Sequence, residues 1–331
     1  MRYLESLSRK TREALSVYWE LVRIIVPVAV ATKALQDLGV VDALSPALEP
    51  LMAWVGLPPD LALSWLTGLL VGVWGGLVVA CTLVPADHLT VAQVTTLASL
   101  LLFAHAIPVE QQIVRKAGPS FVVTSALRIA AGLAFAAVLH ATTRATGWLS
   151  APARPAWTPT ATGDGWGPFL LGTAQTLGVM LLMLVAVSWL VEILRIAGLL
   201  DRMNRGMAPL FRLAGIEAAT VPFAAIGLLL GISYGSGFII REARAGGIGP
   251  RQVFIACVFM GLAHSIVEDT LVVMAFGADI TVVLLARMAF AIAATALVAK
   301  AIAAMPDGGF LRLFFAGSDA AAVVAGRGAR P

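Results

Sequence analysis

The residues best equipped for chemistry stand in GLAHSIVEDT, Gly261–Thr270, where a histidine and two carboxylates interrupt an apolar stretch. On a continuous helix His264 and Glu268 are four residues apart and share a face, as do Ser265 and Asp269. Charged groups at membrane depth are costly and tend to line a cavity or pathway. These residues are therefore candidates to bind a polar solute or a proton, since a histidine beside carboxylates takes up protons near neutral pH. A second set, His105, Glu110 and Gln111, lies in AHAIPVEQQ. Pro108 removes a backbone donor there and is expected to break the helix, freeing carbonyls for protein, water or solute. The plainer alternative is that both segments lie at the membrane interface and simply meet water.

Arg128 and Arg287 each sit in the helix that follows one of these segments. A buried arginine needs a counter-charge, so pairing with Glu110 and Glu268, or across the two halves of the chain, is expected; snorkelling to a headgroup is the competing reading. In GLLLGISYGSGFIIREARAGGI, Gly227, Gly231 and Gly235 recur every four residues, a spacing that lets helices approach closely. The hydroxyls of Ser233, Tyr234 and Ser236 in the same stretch are candidate solute contacts. Cys257, Met260, His264 and Glu268 fall on one helical stripe and are weak candidates for a transition metal, because Met and Cys at that spacing are also ordinary core filler. Lys33 and Glu192 occupy matched positions with opposite charges, and Asp87-His88 reads as a solvated turn. No hydrolase triad, zinc-protease pair, P-loop or dinucleotide fingerprint occurs, so neither an enzyme nor a cofactor is expected.

The elements that hold these residues belong to a membrane protein. Of 331 residues, 59% are hydrophobic and only 13% charged, with mean hydropathy +0.90, against about 25% charged in a soluble domain. Leu61–Ala86, Gly165–Val191 and Ala218–Ile240 contain no Asp, Glu, Lys or Arg and are each long enough to cross a hydrocarbon core. Met1–Glu20 mixes basic and acidic residues and does not read as a signal peptide. The formal charge of +4 is spread along the chain without a basic run, which leaves nucleic-acid binding unsupported. Cys81 and Cys257 lie in apolar segments and are not expected to form a disulfide.

The chain repeats itself. Gly39 and Gly198, Asp42 and Asp201, Pro50 and Pro209, Gly68 and Gly227, Gly72 and Gly231, Gln93 and Gln252, His105 and His264, and Arg128 and Arg287 are all 159 residues apart. Pro108 reads as one extra residue, which would set Glu110 on Glu268 at an offset of 158. The resulting organisation is an N-terminal cytoplasmic segment (1–17), a first repeat (18–145), a linker (146–167), a second repeat (168–305) and a C-terminal tail (306–331), with Gly317–Pro331 expected to be disordered.

Each repeat predicts four helical elements: Tyr18–Gln36, Leu61–Val84, Val91–Ala117 and Phe121–Ala141, then Phe169–Ile196, Ala218–Ile240, Gln252–Ala278 and Ile280–Ala304. The amphipathic stretches Val41–Val55 and Leu199–Ala214 suit the membrane surface. Because Val109–Ala117 is too short to span, the third element is expected to be a re-entrant hairpin. That leaves three crossings per repeat, and an odd count inverts the second repeat. This arrangement places Arg115, Lys116, Arg195, Arg202, Arg205, Arg212, Lys300 and Arg312 inside with the N-terminal basic residues, and Arg144, Arg154, Arg241, Arg244 and Arg251 outside. Four crossings per repeat fit the charge count nearly as well.

The duplicated unit, the GISYGSGFIIREA segment and the HSIVEDT broken helix resemble the nucleoside-recognition, or Gate, domain of bacterial membrane proteins. That family is similar to the spore maturation membrane proteins, to the membrane core of ferrous-iron transporters and, distantly, to concentrative nucleoside transporters. The resemblance is clearest over Gly227–Gly277, while Trp74 and Pro108 depart from it. It implies an all-α polytopic bundle of two Gate-like repeats in the bacterial inner membrane, moving a small polar solute through a site between the broken elements. The expected partners are the lipid bilayer, the solute and further subunits in a homo- or hetero-oligomer. A membrane scaffold, or a handler of anionic solutes or lipid headgroups through Arg128 and Arg287, are the alternatives.

Overall fold

The structure, a computed structural model, describes residues 2–84, 88–156 and 165–315. Among these the chain is helical, with no strand beyond two isolated bridges. Gln93 caps the third element of the first repeat: its backbone N–H donates to Thr90 Oγ1 at 3.2 Å while its side chain accepts from Thr90 N at 3.0 Å.

The first repeat comprises α1 (Arg2–Asp37), α2 (Val40–Trp54), α3 (Leu61–Val71), α4 (Val73–Leu83), α5 (Val91–Phe103), α6 (Ile107–Lys116) and α7 (Phe121–Thr146). The second comprises α8 (Trp166–Ile196), α9 (Leu199–Leu213), α10 (Val221–Tyr234), α11 (Ser236–Arg244), α12 (Pro250–Ala263), α13 (Glu268–Ala275) and α14 (Arg287–Ala303), the last entered through a π-helical turn at Thr281–Ala286. A final helix, α15 (Asp307–Phe314), follows.

Several boundaries differ from the expectation. Residues 2–17 are not a separate segment but the first half of α1. Within the linker, Ala151 and Ala153 hydrogen-bond to Val91 and Leu89, and Ala156 donates to Ala275. In the tail, Phe310 of α15 packs edge-on against Phe254. The expected disorder of Gly317–Pro331 lies outside the described residues, as does Asp87 of the Asp87-His88 turn; His88 is exposed.

The re-entrant element is the second of each repeat, not the third. Gly72 (φ 130°) and Gly231 (φ 84°) break it at the same place, in backbone regions that side-chain-bearing residues rarely adopt. α3 then folds back along α4, tied by Ser64 Oγ donating to Gly76 O at 2.8 Å. In the second repeat the entry to the element is bonded to the start of α12, which only residues 245–249 separate from the element's exit: Glu217 N donates to Gln252 Oε1 at 3.0 Å, and Gln252 Nε2 donates to Gly215 O at 3.2 Å. A chain whose entry is bonded to the residues just past its exit has not crossed. The evenly spaced Gly227, Gly231 and Gly235 therefore build a turn as well as a packing face.

The third element crosses. α5 begins beside Leu149 and Ala151, and α6 ends where Lys116 O accepts from Arg244 Nε at 2.9 Å. α12 and α13 traverse the same depth in the other direction. His264 at the end of α12 meets His105 at the end of α5, while Asp279 N, past α13, donates to Thr95 Oγ1 near the start of α5 at 3.0 Å. The two elements are antiparallel mates, so the second repeat is inverted. Among the described residues six helices are long and apolar enough to cross a membrane: Ser8–Asp37, Val91–Lys116, Phe121–Thr146, Trp166–Leu190, Pro250–Ala275 and Thr281–Ala303.

This topology moves charges. Arg244 lies on Lys116, and Arg251 is bound by Asp307 at 2.9 Å and by the carbonyls of Ile302 and Met305. Arg241, Arg244 and Arg251 thus share an end with Arg115, Lys116, Lys300 and Arg312 instead of facing them across the membrane. Arg144 and Arg154 lie at the opposite end. Lys33 pairs with Asp37 in its own helix at 2.6 Å.

α5 and α12 form the centre. Val94–Phe103 and Val253–Ala263 are buried on every face, as expected of helices apolar all round. α7 packs against both and α14 against α12, while α1 and α8, which touch through Trp189 Nε1 and Thr11 Oγ1 at 2.9 Å, pack against α4. Outward leucines such as Leu170, Leu182, Leu285 and Leu297 remain exposed, an apolar exterior suited to lipid.

Candidate functional site

Both crossing elements break at midcourse. α5 stops at Phe103 and α6 begins at Ile107; α12 stops at Ala263 and α13 begins at Glu268. At the breaks Ala106 (φ 45°) and Ser265 (φ 52°) turn left-handed. The hairpins hold them there, since Ala106 N donates to Gly68 O at 3.0 Å and Ser265 N to Gly227 O at 3.4 Å. Ile266 N further donates to Leu228 O at 2.9 Å. Pro108 is not the cause, because the second repeat breaks at the matching place with Val267 there.

Each break leaves helix-end carbonyls buried, and the arginines answer them. Arg128 Nε donates to Phe103 O at 2.9 Å, and Arg287 Nε donates to Leu262 O at 3.1 Å, the equivalent atom. Arg287 also reaches Leu102 O and His264 O, both at 3.1 Å, and so ties the two repeats together. Both side chains are fully buried, so the snorkelling reading fails. A cation at a helix C-terminus is favoured by the helix dipole. The expected pairing is half right: Arg128 binds Glu110 Oε2 at 2.7 Å, whereas Arg287 is held by three carbonyls and not by Glu268.

Four side chains converge between the arginines. His105 Nε2 and His264 Nε2 are 3.2 Å apart. Glu110 Oε1 lies 3.2 Å from His264 Nε2 and 3.7 Å from His105 Nε2, and Asp269 Oδ2 lies 3.7 Å from His105 Nε2. The histidines and Glu110 are buried, and Asp269 Oδ2 is shut off from solvent without a hydrogen-bond partner. The tautomers follow from geometry. His105 Nδ1 is 2.8 Å from Leu101 O and His264 Nδ1 is 2.9 Å from Met260 O. A carbonyl only accepts, so each Nδ1 bears a proton and, while its ring is neutral, Nε2 turns a lone pair inward.

Asp269, rather than Glu268, completes the cluster. The break removes the continuous helix on which His264 and Glu268 would share a face. Glu110 N bonds to Ala106 O and Asp269 N to Ser265 O, both at 3.0 Å. The offset of 159 therefore runs on unbroken: Glu110 matches Asp269, and Pro108 is not an insertion. That unbroken register was the signal in the sequence that could have set Asp269, already a candidate, ahead of Glu268.

Other candidates lie elsewhere. Gln111 is buried but accepts from Thr124 Oγ1 at 2.6 Å, a tie between α6 and α7. Ser233 and Tyr234 are exposed and Ser236 is half-buried, outside the buried cluster. Ser265 supplies the strained backbone turn. The proposed metal stripe does not assemble: His105, His264 and Asp269 place ligand atoms within 4.8 Å of one another, and Cys257 and Glu268 are not among them. Trp74, which departs from the second repeat's pattern, is buried edge-on to Phe276, with ring centres 6.4 Å apart.

The nucleoside-recognition (Gate) family model matches residues 18–120 and 177–280, one segment in each repeat. An uncharacterised membrane protein of Bacillus subtilis (strain 168), YvoD, is 28% identical over 291 residues, covering 85% of this chain and 90% of its own length. No solved structure matches the chain.

Proposed function

The chain belongs to the nucleoside-recognition (Gate) family, and from that premise we propose that it carries a small polar solute across the bacterial inner membrane through the paired breaks of α5–α6 and α12–α13. One observation carries this reading: buried polar groups from both inverted repeats converge where two crossing helices are interrupted, the arrangement in which transporters build midplane sites. The end bearing Arg115, Lys116, Arg244, Lys300 and Arg312 faces the cytoplasm under the positive-inside rule. The solute is nucleoside-like or ionic and meets His105, His264, Glu110 and Asp269.

Uptake into proteoliposomes tests the proposal, using uridine, adenosine and divalent cations with and without an imposed pH gradient, so that coupling to protons is read in the same assay. Uptake of one solute, lost in Asp269→Asn, is expected. No uptake of any solute, together with a copurifying protein lost in the same variant, would replace transport by the scaffold reading.

One observation favours an anionic solute instead. Arg128 Nη2 and Arg287 Nη1 are buried without hydrogen-bond partners. Competition of uptake by a nucleoside monophosphate, but not by the nucleoside, would support that second reading.

A further inference from the structure

We infer that the cluster at the paired breaks is a binding site for one divalent transition-metal ion, held by His105, His264 and Asp269, whose ligand atoms lie within 4.8 Å of one another, with Glu110 Oε1 beside the two histidines. The inference rests on the reading of this cluster as the solute site and names the class of solute.

Four atoms converge there, and with both rings neutral none of them is a donor. Two nitrogen lone pairs face each other at 3.2 Å, with carboxylate oxygens at 3.2 and 3.7 Å. Without a cation between them these groups repel, and the buried Asp269 Oδ2 goes unpaired. A nucleoside would leave this knot of acceptors unmatched unless every contact came from one of its own N–H or O–H groups.

The spacing fits an ion. Four ligands about 2.0–2.1 Å from a tetrahedral centre stand about 3.3–3.4 Å from each other. His105 Nε2 and His264 Nε2, 3.2 Å apart, and Asp269 Oδ2, 3.7 Å from His105 Nε2, lie near that value, and all three ligand atoms fall within 4.8 Å of one another. Two imidazoles with a carboxylate suit zinc, cobalt or another first-row divalent ion better than magnesium or calcium, which prefer oxygen alone.

The outer contacts have the form metal sites require. Each histidine donates its other N–H to a backbone carbonyl, Leu101 O or Met260 O, which fixes the ring and aims Nε2. Arg128 holds the far oxygen of Glu110 and so orients the near one. Arg128 and Arg287 spend their remaining recorded bonds on the carbonyls of Phe103, Leu262, Leu102 and His264.

Cobalt titration of the purified full chain in nanodiscs tests the site. Expected is one Co²⁺ per chain with the intense visible bands of a tetrahedral centre, displaced by Zn²⁺ and unchanged by Mg²⁺. Cys81→Ser with Cys257→Ser should keep these bands, and His264→Ala should remove them. If the histidine variants do not fold, Asp269→Asn, which keeps the shape of the side chain, should weaken binding at least tenfold. Absence of the bands in the folded wild-type protein overturns the inference, as does binding that survives Asp269→Asn with His264→Ala or vanishes with the cysteines. A bound ion without flux in proteoliposomes would defeat the transport reading while leaving the metal site standing.

Discussion

His105, His264, Glu110 and Asp269 act as one group because each carries what another needs oriented. Glu110 has two tasks, one oxygen on Arg128 and the other toward the histidines. Removing one member of a buried ion pair strands the other charge, at a cost of about 3–5 kcal/mol. Arg128→Ala should therefore lower the thermal unfolding temperature in detergent sharply, and Arg128→Ala with Glu110→Gln should recover part of the loss, since the double variant strands no charge. Gln111 provides the contrast. Its bond to Thr124 ties α6 to α7 and takes no part in the cluster, so Gln111→Leu should cost about 1 kcal/mol of stability and leave uptake intact. Uptake abolished by Gln111→Leu in a folded protein would return that residue to the solute site.

The broken helix and the re-entrant hairpin depend on each other. Gly68 O and Gly227 O accept the N–H groups that the breaks set free, and the hairpins can present them only because Gly72 and Gly231 turn the chain. Neither glycine's conformation is open to a β-branched residue without strain. Gly231→Val should therefore reduce the yield of folded protein and abolish uptake. Pro108→Ala should do neither, its effect staying within about 1 kcal/mol, because the second repeat breaks without a proline. A marked loss in Pro108→Ala, read by thermal unfolding, would show that the first break depends on local sequence after all.

Across the whole molecule the inverted repeats place two similar halves head to head, with the breaks meeting at the pseudo-symmetry axis. Sidedness is the property that this arrangement sets and that a membrane-impermeant thiol reagent can read. In a background of Cys81→Ser and Cys257→Ser, Ala245→Cys and Lys300→Cys should react from one side of sealed vesicles and Ser150→Cys from the other. The hairpin predicts that agreement between positions 245 and 300, and labelling from opposite sides would mean that α10 and α11 cross the membrane.

Composition, the apolar spans and the offset of 159 were enough to establish a duplicated helical membrane protein, because lipid forces charge out of long segments and duplication leaves glycine, histidine and arginine in register. His105, His264, Glu110, Asp269, Arg128 and Arg287 were legible for the same reason: ionisable residues stand out in an apolar sequence. Tertiary structure decided which of them meet. Whether a helix breaks at Phe103 or at Ala263 depends on Arg128, Arg287 and the hairpin carbonyls, partners distant in sequence, and no local propensity encodes them. Once the helix breaks, the angular relation of His264 to the residues after it is reset, so Asp269 replaces Glu268. The element that folds back was likewise beyond periodicity, since a hairpin and a crossing present the same apolar residues and differ only in where their ends are bonded.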